Sequence, residues 1–109
     1  MEIRFRDKKL QDVCEKQAVA VKRLGEIGAR KLRSRLGDLS AASRVTDLVA
    51  GNPHPLKGDR QGQFALDLAG GWRLVFVPAN DPVPEKPGAG IDWAQVTIVS
   101  IDYIGDYHD

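Results

Sequence analysis

Phe64-Ala65-Leu66-Asp67-Leu68-Ala69-Gly70-Gly71-Trp72-Arg73-Leu74-Val75-Phe76-Val77 is the stretch on which the fold turns. Residues 64–68 alternate cleanly, Ala69-Gly70-Gly71 supplies a tight turn, and an apolar run returns from Trp72, so the spacing predicts a β-hairpin. Strand alternation puts Trp72, Leu74 and Phe76 on one face and Arg73, Val75 and Val77 on the other. Arg73 then has two readings. It faces solvent or pairs with Asp67 across the hairpin, or its guanidinium is held over a groove where it can grip a phosphate with two parallel hydrogen bonds.

Upstream, the pattern changes from period two to period three and four. Glu2 to Arg6 reads as a short strand, and Asp7 as the cap of a helix starting near Lys8 with Leu10, Val13 and Cys14 on one face. A longer amphipathic stripe follows through Val21, Leu24, Ile27 (or Gly28), Leu32, Leu36 and Leu39, with Lys22, Arg23, Arg30, Lys31, Arg33 and Arg35 on the opposite face. Gly25 and Gly28 each cost a helix interior about 1 kcal/mol relative to Ala, so a break or a close approach is expected there. Ser40 or Ser43 caps a last short helix through Val45, Leu48 and Val49, ending at Gly51. Downstream, residues 78–92 hold prolines at 78, 82, 84 and 87 and glycines at 88 and 90, which predicts a mobile loop. A final strand runs from Gln95 to Ile104. The expected fold class is α+β: an N-terminal strand and helices packed on a mainly antiparallel four-stranded sheet, as one domain over residues 1–109.

The bulk numbers agree with an ordinary globular domain: 109 residues, 42% hydrophobic and 28% charged. No apolar run reaches the ~20 residues of a membrane helix, and the basic start has no signal-peptide core, so a cytoplasmic protein is expected. The single cysteine, Cys14, reads as a small buried hydrophobe. The net charge of +1 conceals a division: 12 Lys/Arg against 7 Asp/Glu in residues 1–50, then 4 against 8 in residues 51–109. A basic half steers toward phosphates or an acidic protein, or is simply a solvated helix face.

Two segments carry the chain's only histidines. In Asn52-Pro53-His54-Pro55-Leu56-Lys57-Gly58-Asp59-Arg60 the flanking prolines pre-set the backbone around His54, beside the cations Lys57 and Arg60. That is a rigid cationic loop, or a stiff connector whose imidazole satisfies a backbone group. The chain closes on Asp106-Tyr107-His108-Asp109, where an imidazole of ordinary pKa about 6.5 stands beside a carboxylate able to orient it or take a proton. No His/Cys/Asp spacing suits a metal, so none is expected, and Gly88-Ala89-Gly90 lacks the strand-to-helix setting of a phosphate loop. No cofactor is expected.

Taken together, residues 54–64, Leu66-Asp67-Leu68, Trp72-Arg73-Leu74-Val75-Phe76, the Pro-Ala-Asn-Asp-Pro run at 78–82 and the closing Asp106-Tyr107-His108 resemble the RelE/ParE toxin superfamily, and within it the HigB-like plasmid maintenance killer toxins. The resemblance covers nearly the whole chain. It implies the toxin of a type II toxin–antitoxin pair, a metal-independent endoribonuclease that cuts mRNA on the ribosome through 2′-hydroxyl attack to a 2′,3′-cyclic phosphate. It also implies a cognate helix-turn-helix antitoxin (HigA-like), with operator DNA contacted only through that antitoxin, and no membrane. Carried over by position, the implied catalytic set is His54, Lys57, Arg73, Asp106, Tyr107 and His108. The cations expected to bind RNA are Arg60, Arg30 and Arg33. A ParE-like inhibitor of gyrase and a non-catalytic toxin acting only in an antitoxin complex are the alternatives. Removing residues 106–109 is expected to abolish mRNA cleavage while leaving the thermal midpoint nearly unchanged, as checked by cleavage mapping and calorimetry on one preparation.

Overall fold

Four strand pairings organise the main sheet, and a computed structural model describes them over residues 1–106. The predicted hairpin forms from β3 (Phe64–Asp67) and β4 (Arg73–Pro78), in a register that sets Phe64 against Phe76 and Asp67 against Arg73. The long β7 (Ile98–Gly105) lies antiparallel to β4. On its other edge β1 (Glu2–Phe5) adds in parallel. With β2 (His54–Pro55) at the far edge, the sheet order is β1-β7-β4-β3-β2. This fifth strand is two residues long, with His54 set against Ala65. The mainly antiparallel sheet is thus as expected, with this short strand added.

Two helices cover one face. α1 (Lys8–Glu15) starts where expected: Asp7 accepts a hydrogen bond from Leu10 N at 2.9 Å. That bond is the main reason the Asp7 carboxyl is held below its ordinary range. α2 (Gln17–Ala41) is broken at Gly25, whose φ of 78° and ψ of 173° only glycine adopts without strain. The break decides which residue continues the apolar stripe. Gly28 faces Leu24, so closely that a Cβ there would sit 2.8 Å from the Leu24 Cβ, while Ile27 is 66% exposed. No helix of the described residues is long and apolar enough to cross a membrane.

The core lies between these layers. Leu10 and Val13 of α1 and Ala29, Leu32 and Leu39 of α2 pack on Phe64, Leu66, Leu74, Phe76, Val99, Ile101 and Ile104 of the sheet. Phe64 and Phe76 stack across the hairpin at 5.4 Å between ring centres, and Trp93 closes on both at 4.9 and 6.5 Å. Cys14 borders this core, and burial pushes its thiol up to about 12, so it stays protonated.

Three local expectations are corrected. The short helix through Val49 is a single 3₁₀ turn, Val45–Asp47, and Val49 is 87% exposed. The Asp47 carboxylate reaches back to accept from the Ser43 and Arg44 backbone at 3.1 and 3.2 Å, which caps the start of this turn. The final strand starts at Ile98 because Trp93–Gln95 forms another 3₁₀ turn. The loop over residues 78–92 carries a two-stranded ladder, β5 (Glu85–Lys86) with β6 (Gly90–Ile91). Asn80 fastens its base: Oδ1 accepts from Thr97 N and Ile98 N, each at 3.1 Å, and Nδ2 donates to Thr97 Oγ1 at 2.9 Å.

Phe76 is fully buried in the middle of the sheet, and truncating it to alanine is expected to cost about 3–5 kcal/mol in urea denaturation followed by fluorescence.

Candidate functional site

Among the described residues no helix lies over the second face of the sheet, and the strand register decides what it displays. His54, Ala65, Val75 and Tyr103 are successive partners across β2, β3, β4 and β7, so their side chains form one row on this face. The next row, two residues along and about 7 Å away, is Asp67, Arg73 and Gly105. Leu56, Ala65, Val75 and Tyr103 form a small apolar cluster that floors the face.

Tyr103 reaches this face through an irregularity. The register between β4 and β7 shifts at Val75/Phe76: Phe76 pairs with Ile101 and Val75 with Tyr103, leaving Asp102 as an extra residue. Beyond such a bulge the alternation reverses. Val99, Ile101 and Ile104 therefore all point into the core, and Tyr103 and Gly105 turn to the second face. The tyrosine ring lies along the strand over Gly105, where an added Cβ would collide with its hydroxyl and ring.

The cations come next. The connection from β2 to β3 folds over this face, so that the Arg60 guanidinium sits 5.1 Å from the centre of the Tyr103 ring. Lys57 stands exposed at the start of the 3₁₀ turn Gly58–Arg60. Arg73 is fixed at one edge: its Nε lies 2.9 Å from Asp67 Oδ1 and its Nη1 donates to Gly71 O at 2.6 Å and to Trp72 O at 3.3 Å. Of the four Lys/Arg in the acidic second half, Lys57, Arg60 and Arg73 belong to this face or to the connection folded across it. Asp59, Asp67 and Asp106 lie among them, so cations and carboxylates alternate over this region.

His54 projects into the first row, its Nδ1 2.6 Å from Asn52 O, so a backbone group does fix the imidazole. Asn52 has a φ of 50°, which folds its carbonyl back toward the ring. Because Arg73 is set against Gly105, the chain leaves β7 beside the Gly70-Gly71 turn. A Cβ on Gly71 would lie 3.7 Å from Asp106 Oδ1. Tyr107 and His108 lie outside the described residues.

The expected site set is thus partly gathered. His54, Arg60, Arg73 and Asp106 meet on or beside the second face, with Lys57 on the connection across it. Arg30 and Arg33 do not: both are exposed on α2, in the layer on the other side of the sheet, and Arg33 is bonded to Gln17 Oε1 at 2.5 Å. Arg35, placed on the basic helix face by periodicity, turns inward instead. Its side chain is 13% exposed, pairs with Asp38 at 3.0 Å and donates to Asp67 O at 3.3 Å. Tyr103 and Asp67 are the site residues that sequence reasoning passed over. A tyrosine in a strand of Val and Ile carries no signal of its own, and Asp67 was legible only as the residue across the hairpin from Arg73. Among the described residues no group of His, Cys, Asp and Glu has the arrangement of a metal site.

With the geometry in hand, comparison with solved structures identifies the fold. The chain superimposes on a YoeB/ParE toxin from Agrobacterium tumefaciens with a TM-score of 0.60 at 15% identity, covering 99% of this chain and all of that one. It matches the YoeB-YefM complex from Staphylococcus aureus with a TM-score of 0.59 at 15% identity, over 100% and 98% of the two chains. The α+β fold is that of the YoeB/ParE toxins. No protein-family model and no curated protein sequence matches this chain.

Gly105→Ala is expected to displace the Tyr103 ring and cost about 1–3 kcal/mol through overpacking. Combining it with Tyr103→Ser is expected to cost clearly less than the sum of the two single changes, as measured in a double-mutant cycle of chemical denaturation.

Proposed function

We propose that this chain is the toxin of a type II toxin–antitoxin pair, of the HigB-like branch, acting as a ribosome-dependent mRNA endonuclease in the cytoplasm. One observation carries the reading. Arg73, the arginine best suited to a phosphate, lies opposite the strand end from which Asp106-Tyr107-His108 continues, one row from His54. A phosphate held at Arg73 would then lie one row from the His54 imidazole and beside the strand end that leads to Asp106.

In this reading Lys57 and Arg73 bind the scissile phosphate and neutralise the charge that builds as the adjacent ribose 2′-hydroxyl attacks. The P–O bond to the 5′-oxygen of the next nucleotide breaks, leaving a 2′,3′-cyclic phosphate and a free 5′-hydroxyl. His108, oriented by Asp106, handles the proton taken from the 2′-hydroxyl or delivered to the leaving oxygen, and His54 is the second acid–base candidate. Tyr107 holds or stacks on a nucleotide, as unpaired RNA bases stack on aromatic rings, and Arg60 adds phosphate attraction. Arg30 and Arg33, on the far side, serve contacts with ribosomal RNA. The partner is a HigA-like helix-turn-helix antitoxin, through which operator DNA is reached. The structural similarity to a YoeB-YefM complex supports a protein partner for this fold.

The Arg73–Asp67 ion pair gives a second reading some ground: a non-catalytic toxin whose arginine is already neutralised, acting only with its antitoxin. Induced expression with mapping of mRNA cuts separates the two. Growth arrest with cuts in translated mRNA is expected, and His108→Ala and Arg73→Ala each abolish both, with cleavage lowered by about 10²-fold or more. Harmless expression without cuts favours the second reading. Inhibited DNA supercoiling with intact mRNA indicates a ParE-like gyrase inhibitor.

A further inference from the structure

Asp67 has no part in the mechanism just described, yet its backbone and its side chain are both held. Its backbone is fixed from both sides: Asp67 N donates to Gly51 O at 2.6 Å, and Asp67 O accepts from Arg35 Nε at 3.3 Å. Arg35 is itself nearly buried and paired with Asp38. Gly51 must be glycine for this approach, with a φ of 85° and an Arg35 Nε 2.6 Å from where a Cβ would stand. A buried side chain of the helix layer therefore sets the position of Asp67, and Asp67 faces Arg73 across the hairpin.

The contact between them is electrostatic in character. Asp67 Oδ1 is 2.9 Å from Arg73 Nε, yet this buried oxygen receives no aligned hydrogen bond among the described residues. Charge therefore holds the guanidinium, with Gly71 O and Trp72 O fixing Nη1. Both side chains are about one-third exposed, so an anion in solvent can approach the guanidinium.

We propose that Asp67 is a positioning residue for RNA cleavage, which trades phosphate affinity for the orientation of Arg73. This rests on the reading of Arg73 as the phosphate contact. The carboxylate offsets part of the positive charge that the RNA backbone meets, and in return holds the guanidinium in the one orientation that faces the scissile phosphate. A neutral, nearly isosteric amide at this position reverses both effects at once.

The test uses the full chain carrying Asp67→Asn, Asp67→Glu, Arg73→Ala and the Asp67→Asn/Arg73→Ala pair, with folding checked by circular dichroism. Binding is measured on a single-stranded RNA oligonucleotide made uncleavable by 2′-deoxy substitution, and kcat on programmed ribosomes. The Asn variant is expected to bind more tightly at low salt, with its log–log salt slope steeper by about 0.7, the contribution of one further phosphate contact on single strands. Its kcat is expected to fall roughly tenfold to a hundredfold from misorientation alone. Asp67→Glu, which keeps the charge, is expected to keep the wild-type slope and recover part of kcat, and the steeper slope of Asn vanishes in the Arg73→Ala background. Should the Asn variant fold poorly, Asp67→Ser is measured and judged in the same way. Wild-type slope and kcat in a folded Asp67→Asn variant overturn the inference, as does a loss of kcat with weakened binding. Cleavage that survives Arg73→Ala instead overturns the reading of Arg73 on which the inference rests.

Discussion

One surplus residue, Asp102, governs what the two faces of this sheet can do. Without it, strict alternation along β7 would send Tyr103 into the core beside Ile101 and leave Ile104 facing outward. The bulge lets one strand serve both sides. Val99 and Ile101 ahead of it and Ile104 behind it all bury against the helices, while Tyr103 and Gly105 are delivered to the other surface. The helical layer then depends on continuous apolar packing along β7, and the site depends on the reversed phase at its end. The local price is one position of β7 left out of its ladder with β4.

The two surfaces divide the chemistry of the chain. The helix-covered face holds nearly all the large buried side chains and accounts for cohesion. The second face has only a small apolar floor, ringed by His54, Arg60, Asp67 and Arg73, with Lys57 at its rim. Connections between the faces are few and specific. Arg35 reaches from α2 to the end of β3, and Arg23 from the same helix reaches Ile104 O at 3.3 Å. Both arginines thereby fix the strand ends at which the site residues sit.

Much of this is legible in the amino-acid sequence. The alternation in residues 64–77 gave the hairpin and the side of it on which Arg73 lies, and Asp7 and the Leu24–Leu39 stripe gave the helices. What stayed hidden depends on long-range pairing. His54-Pro55 has no strand signature, because a two-residue strand exists only through its partner Ala65-Phe64. Arg35 looked like part of a basic helix face since periodicity places a side chain around a helix axis and says nothing of a carbonyl waiting at the helix's edge. Tyr103 was invisible as a site residue because a bulge leaves no mark on composition. The tail, by contrast, was prominent in the sequence, and only Asp106 of it falls within the described residues.

The Asn80 clasp at the base of the proline-rich excursion has a consequence of its own. Its three hydrogen bonds, with Trp93 seated on Phe64 and Phe76, close the segment between β4 and β7 independently of what lies between. The entropy of closing a loop grows only logarithmically with its length. Segments between Asp81 and Gly90 can therefore lengthen, shorten or change sequence with little mechanical effect on the strands that carry the site. The fold has, in effect, a mounting point where new surface can be acquired in evolution without disturbing the chemistry nearby.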